Sequence, residues 1–290
     1  MTISDPVVER VIATISRSAT EIRQGLVGRR GTVDEENPSG ETQREADVWA
    51  DELLADRLAA IDGVGQYASE ERPEAIDCGG DPATESETYA VAVDPLDGSS
   101  NLRSNNSMGT IFGVYDDRLP TLGETLVAAG YVLYGPINTM VIATEETVTE
   151  YELTGGERRI VRRDVTVPEE PVVYGFGGRL PDWPDAFREY ASEIEQELKL
   201  RYSGAMIGDV NQVLTYGGVF GYPALRSRPD GKLRLQFEGN PIGYVVEQAG
   251  GRSSNGDQSL LSVEPDALHD RTPLYVGTTA LIDRLESTVG

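Results

Sequence analysis

Val8, Val11, Ile12, Ile15 and Ile22 recur at separations of three, four and seven residues, the spacing that gathers apolar side chains on one face of a helix. The pattern predicts a helix over residues 7–25, opened by Asp5 as a cap and Pro6 in the first turn. Ala46, Trp49, Ala50, Leu53, Leu54 and Leu58 repeat it and predict a second helix over 43–60. The charged run between them, TVDEENPSGE (32–41), is expected to be a solvated loop. From Tyr89 the period shortens. YAVAV (89–93), GTIFGVYD (109–116), AGYVLYG (129–135) and INTMVIAT (137–144) read as strands, and VTEYELTGGERRIVRRDVTV (148–167) as a hairpin closed by Gly155 and Gly156.

A turn between Pro168 and Pro171 is the expected domain boundary. Beyond it the pattern predicts a strand in VVYGFGG (172–178), a helix in WPDAFREYASEIEQEL (183–198), a strand near 198–202 and a helix beginning at Asp209. RLQF (234–237) continues as an apolar strand pattern that Glu238 ends, followed by a helix in IGYVVEQAGG (242–251) that stops at paired glycines. A strand in PLYVGTT and a helix in ALIDRLEST complete the series. Strands thus dominate the first half and alternate with helices in the second. The expectation is an α/β fold of two packed subdomains, 1–168 and 169–290, with a cleft between them.

Charge narrows the partners. Asp and Glu number 49 against 25 Lys and Arg, a formal net charge of −24. Such a field repels nucleic acid and anionic lipid, so neither is an expected partner. Lys199 and Lys232 are the two lysines, and acid excess with scarce lysine suits a protein working in concentrated salt, where screening weakens self-repulsion. Cys78 stands alone, which excludes an intrachain disulfide, and it lacks the downstream arginine of a phosphate-binding cysteine loop. His269 is the one histidine, read as a solvated loop residue, so no histidine pair can hold zinc. The N-terminal stretch MTISDPVVER lacks the basic-then-apolar build of a signal peptide and no apolar run reaches membrane-spanning length; a cytoplasmic protein is expected.

Candidate chemistry therefore rests on carboxylates. In VDPLDGSSN, Asp94 and Asp97 sit where a strand is expected to end at Pro95, and Gly98, Ser99, Ser100 and Asn101 follow with backbone N–H groups and hydroxyls suited to an anion. Two close carboxylates repel unless a cation compensates, and an all-oxygen set favours magnesium. The residues alone also fit a solvated Asp-Gly turn. Glu70 and Glu71 precede this motif by a short loop. Glu238 follows Lys232 and Arg234, cations that could take a second phosphate.

The linked set ASEE, DPLDGSSN, GTIFGVY, RYSGAMIGDVNQVLTYGGVFGYP and KLRLQFEGNPIGYVVEQAGG closely resembles class I fructose-1,6-bisphosphatase, from about Glu41 to Gly251. That family belongs to the lithium-sensitive, magnesium-dependent sugar phosphatases, together with inositol monophosphatases. The resemblance implies a layered αβαβα fold and hydrolysis of the 1-phosphate of fructose 1,6-bisphosphate in gluconeogenesis. It implies two or three magnesium ions per site, with manganese as a substitute. Glu70, Asp94, Asp97 and Glu238 would be metal ligands with the Leu96 carbonyl, and Asp47 and Glu71 the acids that orient and deprotonate water. Gly98, Ser99 and Ser100 would hold the 1-phosphate. Arg201, Tyr202, Tyr222 and Lys232 would surround the 6-phosphate and sugar, Arg201 reaching across the interface of a homodimer or homotetramer, and Arg234 matches an active-site arginine. Glu41 falls where the family has an aspartate near a third metal position. The AMP-binding segment of animal relatives is not visible before Val7, so AMP inhibition is not expected. The family's sugar-side asparagine and tyrosine are replaced around YGFGGRLPDWP, where Tyr174, Phe176 and Arg179 are either substitutes or packing residues. Alternatives are a sedoheptulose-1,7-bisphosphatase, an inositol monophosphatase, or a catalytically silent regulator that binds phosphometabolites.

Overall fold

The structure, a computed structural model, describes residues 4–36, 42–85 and 87–290. Helix α1 (Pro6–Gly25) starts as its sequence predicts: Asp5 Oδ1 accepts the N–H groups of Val7 and Val8 at 2.7 and 2.9 Å. Strands β1 (Thr32–Glu36) and β2 (Thr42–Arg44) pair antiparallel, so the first half of the charged run expected as a loop is a strand. A backbone ladder, which needs no apolar side chains, makes it one. Glu41 lies outside the described residues. Helix α2 spans Glu45–Leu58.

An eight-stranded sheet follows: β3 (Val64–Ser69), β4 (Ile76–Asp77), β5 (Tyr89–Asp97), β6 (Met108–Tyr115), β7 (Leu126–Tyr134), β8 (Asn138–Thr144), β9 (Val148–Thr154) and β10 (Glu157–Arg162). Its order is β10-β9-β8-β7-β6-β5-β3-β4, and all neighbours are antiparallel except β3 and β5. Strand β5 does not stop at Pro95. It continues to Asp97 through an irregularity in register against β6 between Asp94 and Asp97. Pro95 falls inside that break, where its missing N–H removes no ladder bond, and its carbonyl accepts the Thr110 hydroxyl at 2.9 Å.

The second half contains β11 (Val173–Phe176), α3 (Asp185–Glu197), β12 (Lys199–Leu200), α4 (Met206–Tyr216), β13 (Gly218–Tyr222), β14 (Leu233–Arg234), α5 (Asn240–Gln248), β15 (Arg252–Ser254), β16 (Arg271–Thr272), β17 (Leu274–Gly277) and α6 (Thr279–Val289). Five strands form a mixed sheet in the order β12-β11-β13-β17-β15, and β14 pairs separately with β16. Helix α4 begins three residues before Asp209 because the Ile207 N–H finds an acceptor outside the helix, Asp97 Oδ2 at 2.9 Å. Glu238 is not at a strand's end: Leu235–Gly239 forms one wide π-helical turn that leads into α5.

Alternation along the strands sorts the core into layers. Val91, Val93, Phe112 and Ile142 face α1 and α2, where Ile12, Ile15 and Leu54 are buried against them. Ala90, Ala92, Ile111 and Val141 face the other way, onto Val210 and Val213 of α4 and Ile242 and Val245 of α5. The same cluster includes Phe220 and Val276 of the five-stranded sheet. Val219 and Tyr275 on its far face pack against Phe187 and Tyr190 of α3 and Ile282 and Leu285 of α6. The stack is αβαβα, as expected. No helix among the described residues is long and apolar enough to cross a membrane.

Candidate active site

The ends of these elements converge on one cavity of about 440 Å³. Strand β5 delivers Asp94, Leu96 and Asp97 to it, the turn after β3 delivers Glu70 and Glu71, and the π-helical turn delivers Glu238. Asp94, Asp97 and Glu238 are all buried, and each offers a carboxylate oxygen within 4.8 Å of the others. Backbone donors orient them: the Leu96 N–H meets Asp94 Oδ1 at 2.9 Å and the Arg234 N–H meets Glu238 Oε2 at 2.6 Å. Glu70 is close by but engaged, its Oε1 lying 2.6 Å from Arg234 Nη1.

Burial dominates the electrostatics. It pushes the Asp94 carboxyl well above the usual range, with the charges of Glu70, Asp97 and Glu238 adding to the effect. Asp97 is raised to about 6, where the N–H groups at the start of α4 oppose the loss of hydration. Glu238 is raised to about 8 by burial and Glu70, against the pull of Arg234. Carboxyls held like this want a cation, and oxygen-only donors in a buried group suit a hard divalent ion.

Asp47 enters from the first turn of α2, its Oδ2 accepting the Arg44 N–H at 3.2 Å. Burial lifts it to about 7 although a hydrogen bond from Ser99 opposes the shift. Ser99 and Ser100 open a short 3-10 turn after Gly98, whose φ of 73° is left-handed. A Cβ on Gly98 would stand 2.2 Å from the Ala205 Cβ, so strain and overlap act together. Gly98→Ala is expected to lower the unfolding free energy by about 2 kcal/mol and turnover by about tenfold or more. Thermal unfolding and kcat/KM measured on the same preparation check both.

Tyr202, Tyr222, Lys232 and Arg234 line the same cavity, with Lys232 Nζ 5.4 Å from the centre of the Tyr222 ring. Arg201 does not line it: the side chain is exposed and its Nη1 donates to the Leu200 carbonyl at 3.5 Å. Tyr174 and Phe176 belong to an aromatic cluster with Trp183, Phe187 and Tyr190, and neither they nor Arg179 reaches the cavity. Sequence reasoning missed Arg44 and Asp209. Asp209 is buried at the cavity wall, raised to about 7 by burial, and accepts the Ser203 N–H at 2.7 Å. Its signal was an acid inside the apolar run AMIGDV. His269, expected in solvent, is half-buried against Phe237, where burial lowers its pKa. Burial raises the pKa of the Cys78 thiol, which does not suit a nucleophile.

Family models described as the N-terminal and C-terminal domains of fructose-1-6-bisphosphatase match residues 7–160 and 167–290. The chain belongs to the fructose-1,6-bisphosphatase family. It is 59% identical over 286 residues to the class 1 fructose-1,6-bisphosphatase of Natronomonas pharaonis, covering 98% of each chain. It is 54% identical to a class 1 enzyme of Haloarcula marismortui, over 99% of this chain and 96% of that one. The crystal structure of Leishmania major fructose-1,6-bisphosphatase in holo form superposes with a TM-score of 0.90 at 28% identity, covering 99% of this chain and 95% of that one. Fructose-1,6-bisphosphatases are metal-dependent, and the buried oxygen donors of Asp94, Asp97 and Glu238 fit that requirement.

Proposed function

We propose that the chain is a magnesium-dependent fructose-1,6-bisphosphatase that hydrolyses the 1-phosphate of fructose 1,6-bisphosphate to fructose 6-phosphate and inorganic phosphate, serving gluconeogenesis. The observation that carries the reading is the meeting of Asp94, Asp97 and Glu238 with the Gly98–Ser100 turn in one cavity whose other wall bears Lys232. Glu70, Asp94, Asp97, Glu238 and the Leu96 carbonyl would hold two or three magnesium ions, or manganese in their place. Bound magnesium supplies charge neutralisation at the phosphoryl oxygens and makes water more acidic.

The remaining work falls to the chain. Gly98, Ser99 and Ser100 orient the reacting phosphate, and Asp47 and Glu71 position water for in-line attack and take its proton; a carboxyl near 7 suits that exchange at neutral pH. No covalent enzyme intermediate is needed, which agrees with a cavity whose lining among the described residues includes neither His269 nor Cys78. Tyr202, Tyr222 and Lys232 take the sugar and the 6-phosphate, completed by Arg201 of a second copy in a homodimer or homotetramer, and Arg234 serves as an active-site arginine. The metal-binding half is read as residues 1–168 and the sugar-phosphate half as 169–290. Net charge and lysine scarcity support a salt-adapted cytoplasmic enzyme.

Lys232→Ala is expected to raise KM for the bisphosphate by about tenfold while leaving kcat within about threefold, because the ammonium group holds the substrate at a point remote from the reacting phosphorus. An unchanged KM would place the 6-phosphate elsewhere. The assignment itself is tested by phosphate release in molar KCl with and without magnesium, beside matched assays with sedoheptulose 1,7-bisphosphate and inositol 1-phosphate. Metal-dependent turnover strongest on the fructose substrate supports it. Preference for another substrate overturns the specificity, and metal binding without any turnover favours a regulator.

A further inference from the structure

The single histidine does not line the cavity, yet it joins the segments that carry its acids. His269 Nε2 lies 2.8 Å from the Arg72 carbonyl oxygen, and the ring centroid lies 5.1 Å from that of Phe237. A carbonyl oxygen only accepts, so Nε2 carries the proton and donates it. Arg72 directly follows Glu70 and Glu71, and Phe237 directly precedes Glu238. One ring therefore touches the backbone beside one acid-bearing turn and the side chain beside another.

The segment holding His269 is itself fixed. Asp270 Oδ2 accepts the N–H groups of Asp266 and Ala267 at 2.6 and 2.9 Å, the Asp270 carbonyl accepts the Leu235 N–H at 2.8 Å, and β16 pairs with β14. Arg72 extends the connection to α2: its Nε meets Asp51 Oδ2 at 2.7 Å, one helical turn beyond Asp47. The Arg234–Glu70 ion pair also links the two turns, but Arg234 competes with a cation for Glu70. The His269 hydrogen bond uses a backbone carbonyl and makes no such competition.

We propose that His269 is a positioning residue for the metal-binding acids, setting the separation of the Glu70–Glu71 turn from the Glu238 turn through the hydrogen bond it donates to Arg72, with its ring lying tilted against Phe237. This role rests on the reading of Glu70, Asp94, Asp97 and Glu238 as metal ligands. Magnesium and manganese sites tolerate little error in ligand placement, so removal of a spacer shows first as weaker metal binding.

The test titrates Mn2+ into the metal-free full chain in molar KCl and follows the free ion by electron paramagnetic resonance. His269→Phe keeps the ring and loses the donor, His269→Gln keeps a donor and loses the ring, and His269→Ala loses both. The dissociation constant is expected to rise about tenfold in the Phe and Ala variants and to stay within about threefold in the Gln variant. The magnesium concentration for half-maximal rate should move in parallel, with KM for fructose 1,6-bisphosphate at saturating magnesium unchanged. Wild-type affinity in a folded Ala or Phe variant overturns the proposal, and so does equal weakening in Gln and Phe. If His269→Ala does not fold, the Gln and Phe pair decides. A wild-type chain that binds Mn2+ but does not hydrolyse the bisphosphate would sink the functional reading while leaving the His269 comparison readable.

Discussion

Asp94→Asn is expected to lower kcat/KM for fructose 1,6-bisphosphate by about a thousandfold or more and, at about pH 8 without divalent metal, to raise the unfolding temperature by about 3 °C. The two effects have one origin. Lost hydration at the buried Asp94, with the charges of Glu70, Asp97 and Glu238 adding to it, pushes its carboxyl well above the usual range. The amide keeps the shape and an oxygen for the Leu96 N–H, so the local fold survives. It removes a ligand, and a metal ion's transition-state contribution of about 4 kcal/mol corresponds to about three orders of magnitude in rate. It also removes a carboxyl that the metal-free fold must keep protonated, at a cost that grows as the pH rises above the ordinary carboxyl range, so the metal-free fold gains. Phosphate release and thermal unfolding in chelator measure the two. Near-normal turnover at saturating magnesium would sink the ligand assignment, and an unfolding temperature that falls would mean that Asp94 stabilises the metal-free fold.

Without divalent metal, the unfolding temperature is expected to fall by about 5 °C or more between about pH 5.5 and about pH 8, and magnesium to reverse the fall. Asp97, Asp47, Asp209 and Glu238 are raised to about 6, 7, 7 and 8. Below the ordinary carboxyl range both states hold these protons and no stability is lost through them. Above it the unfolded chain releases them while the folded chain keeps them, so the folded state binds more protons and stability declines as pH rises through 6 to 8. The direction is opposite to that of a salt-bridged carboxylate. Magnesium selects the deprotonated acids, so the rise in unfolding temperature that it produces should grow over the same interval. Scanning in molar KCl screens the surface acids over about 3 Å and isolates the buried set. A flat profile without metal would mean that these carboxyls are hydrated in solution.

Much of the fold was legible because burial imposes a period. Helix α1 and strand β9 each bury one repeating face, while β6, β7 and β8, buried on both, stand out as apolar runs bounded by turn residues. Strand β3 escaped notice because VGQYAS is buried on both sides and contains a polar residue in each half. Gln66 is tolerated there only through Leu119, whose N–H donates to its Oε1 at 2.8 Å and whose carbonyl accepts from its Nε2 at 3.4 Å, a pairing across 53 positions. The acids of β5 and the small residues after them stood out as candidates from their chemistry, but the residues alone fitted a solvated Asp-Gly turn as well, and the linked motifs of the family resemblance were needed to separate the two. The wide turn carrying Glu238 was not legible: its shape depends on β16 and His269, which follow some thirty residues later. The apolar residues of that turn fit a strand equally well until those partners are known.

Among the described residues, strand β10 ends the eight-stranded sheet with one side of its backbone ladder unpaired, and it carries Arg158, Arg159 and Arg162. These arginines meet Glu9, Glu152 and Glu150 of the same chain. The opposite edge, β4, is two residues long. An acidic protein in dilute buffer is kept from its neighbours by net charge, but concentrated salt removes that protection at distances beyond a few ångströms. What remains is local obstruction: bulky paired side chains along one border and too short a border on the other, so that a second chain finds nowhere to extend the sheet into an aggregate.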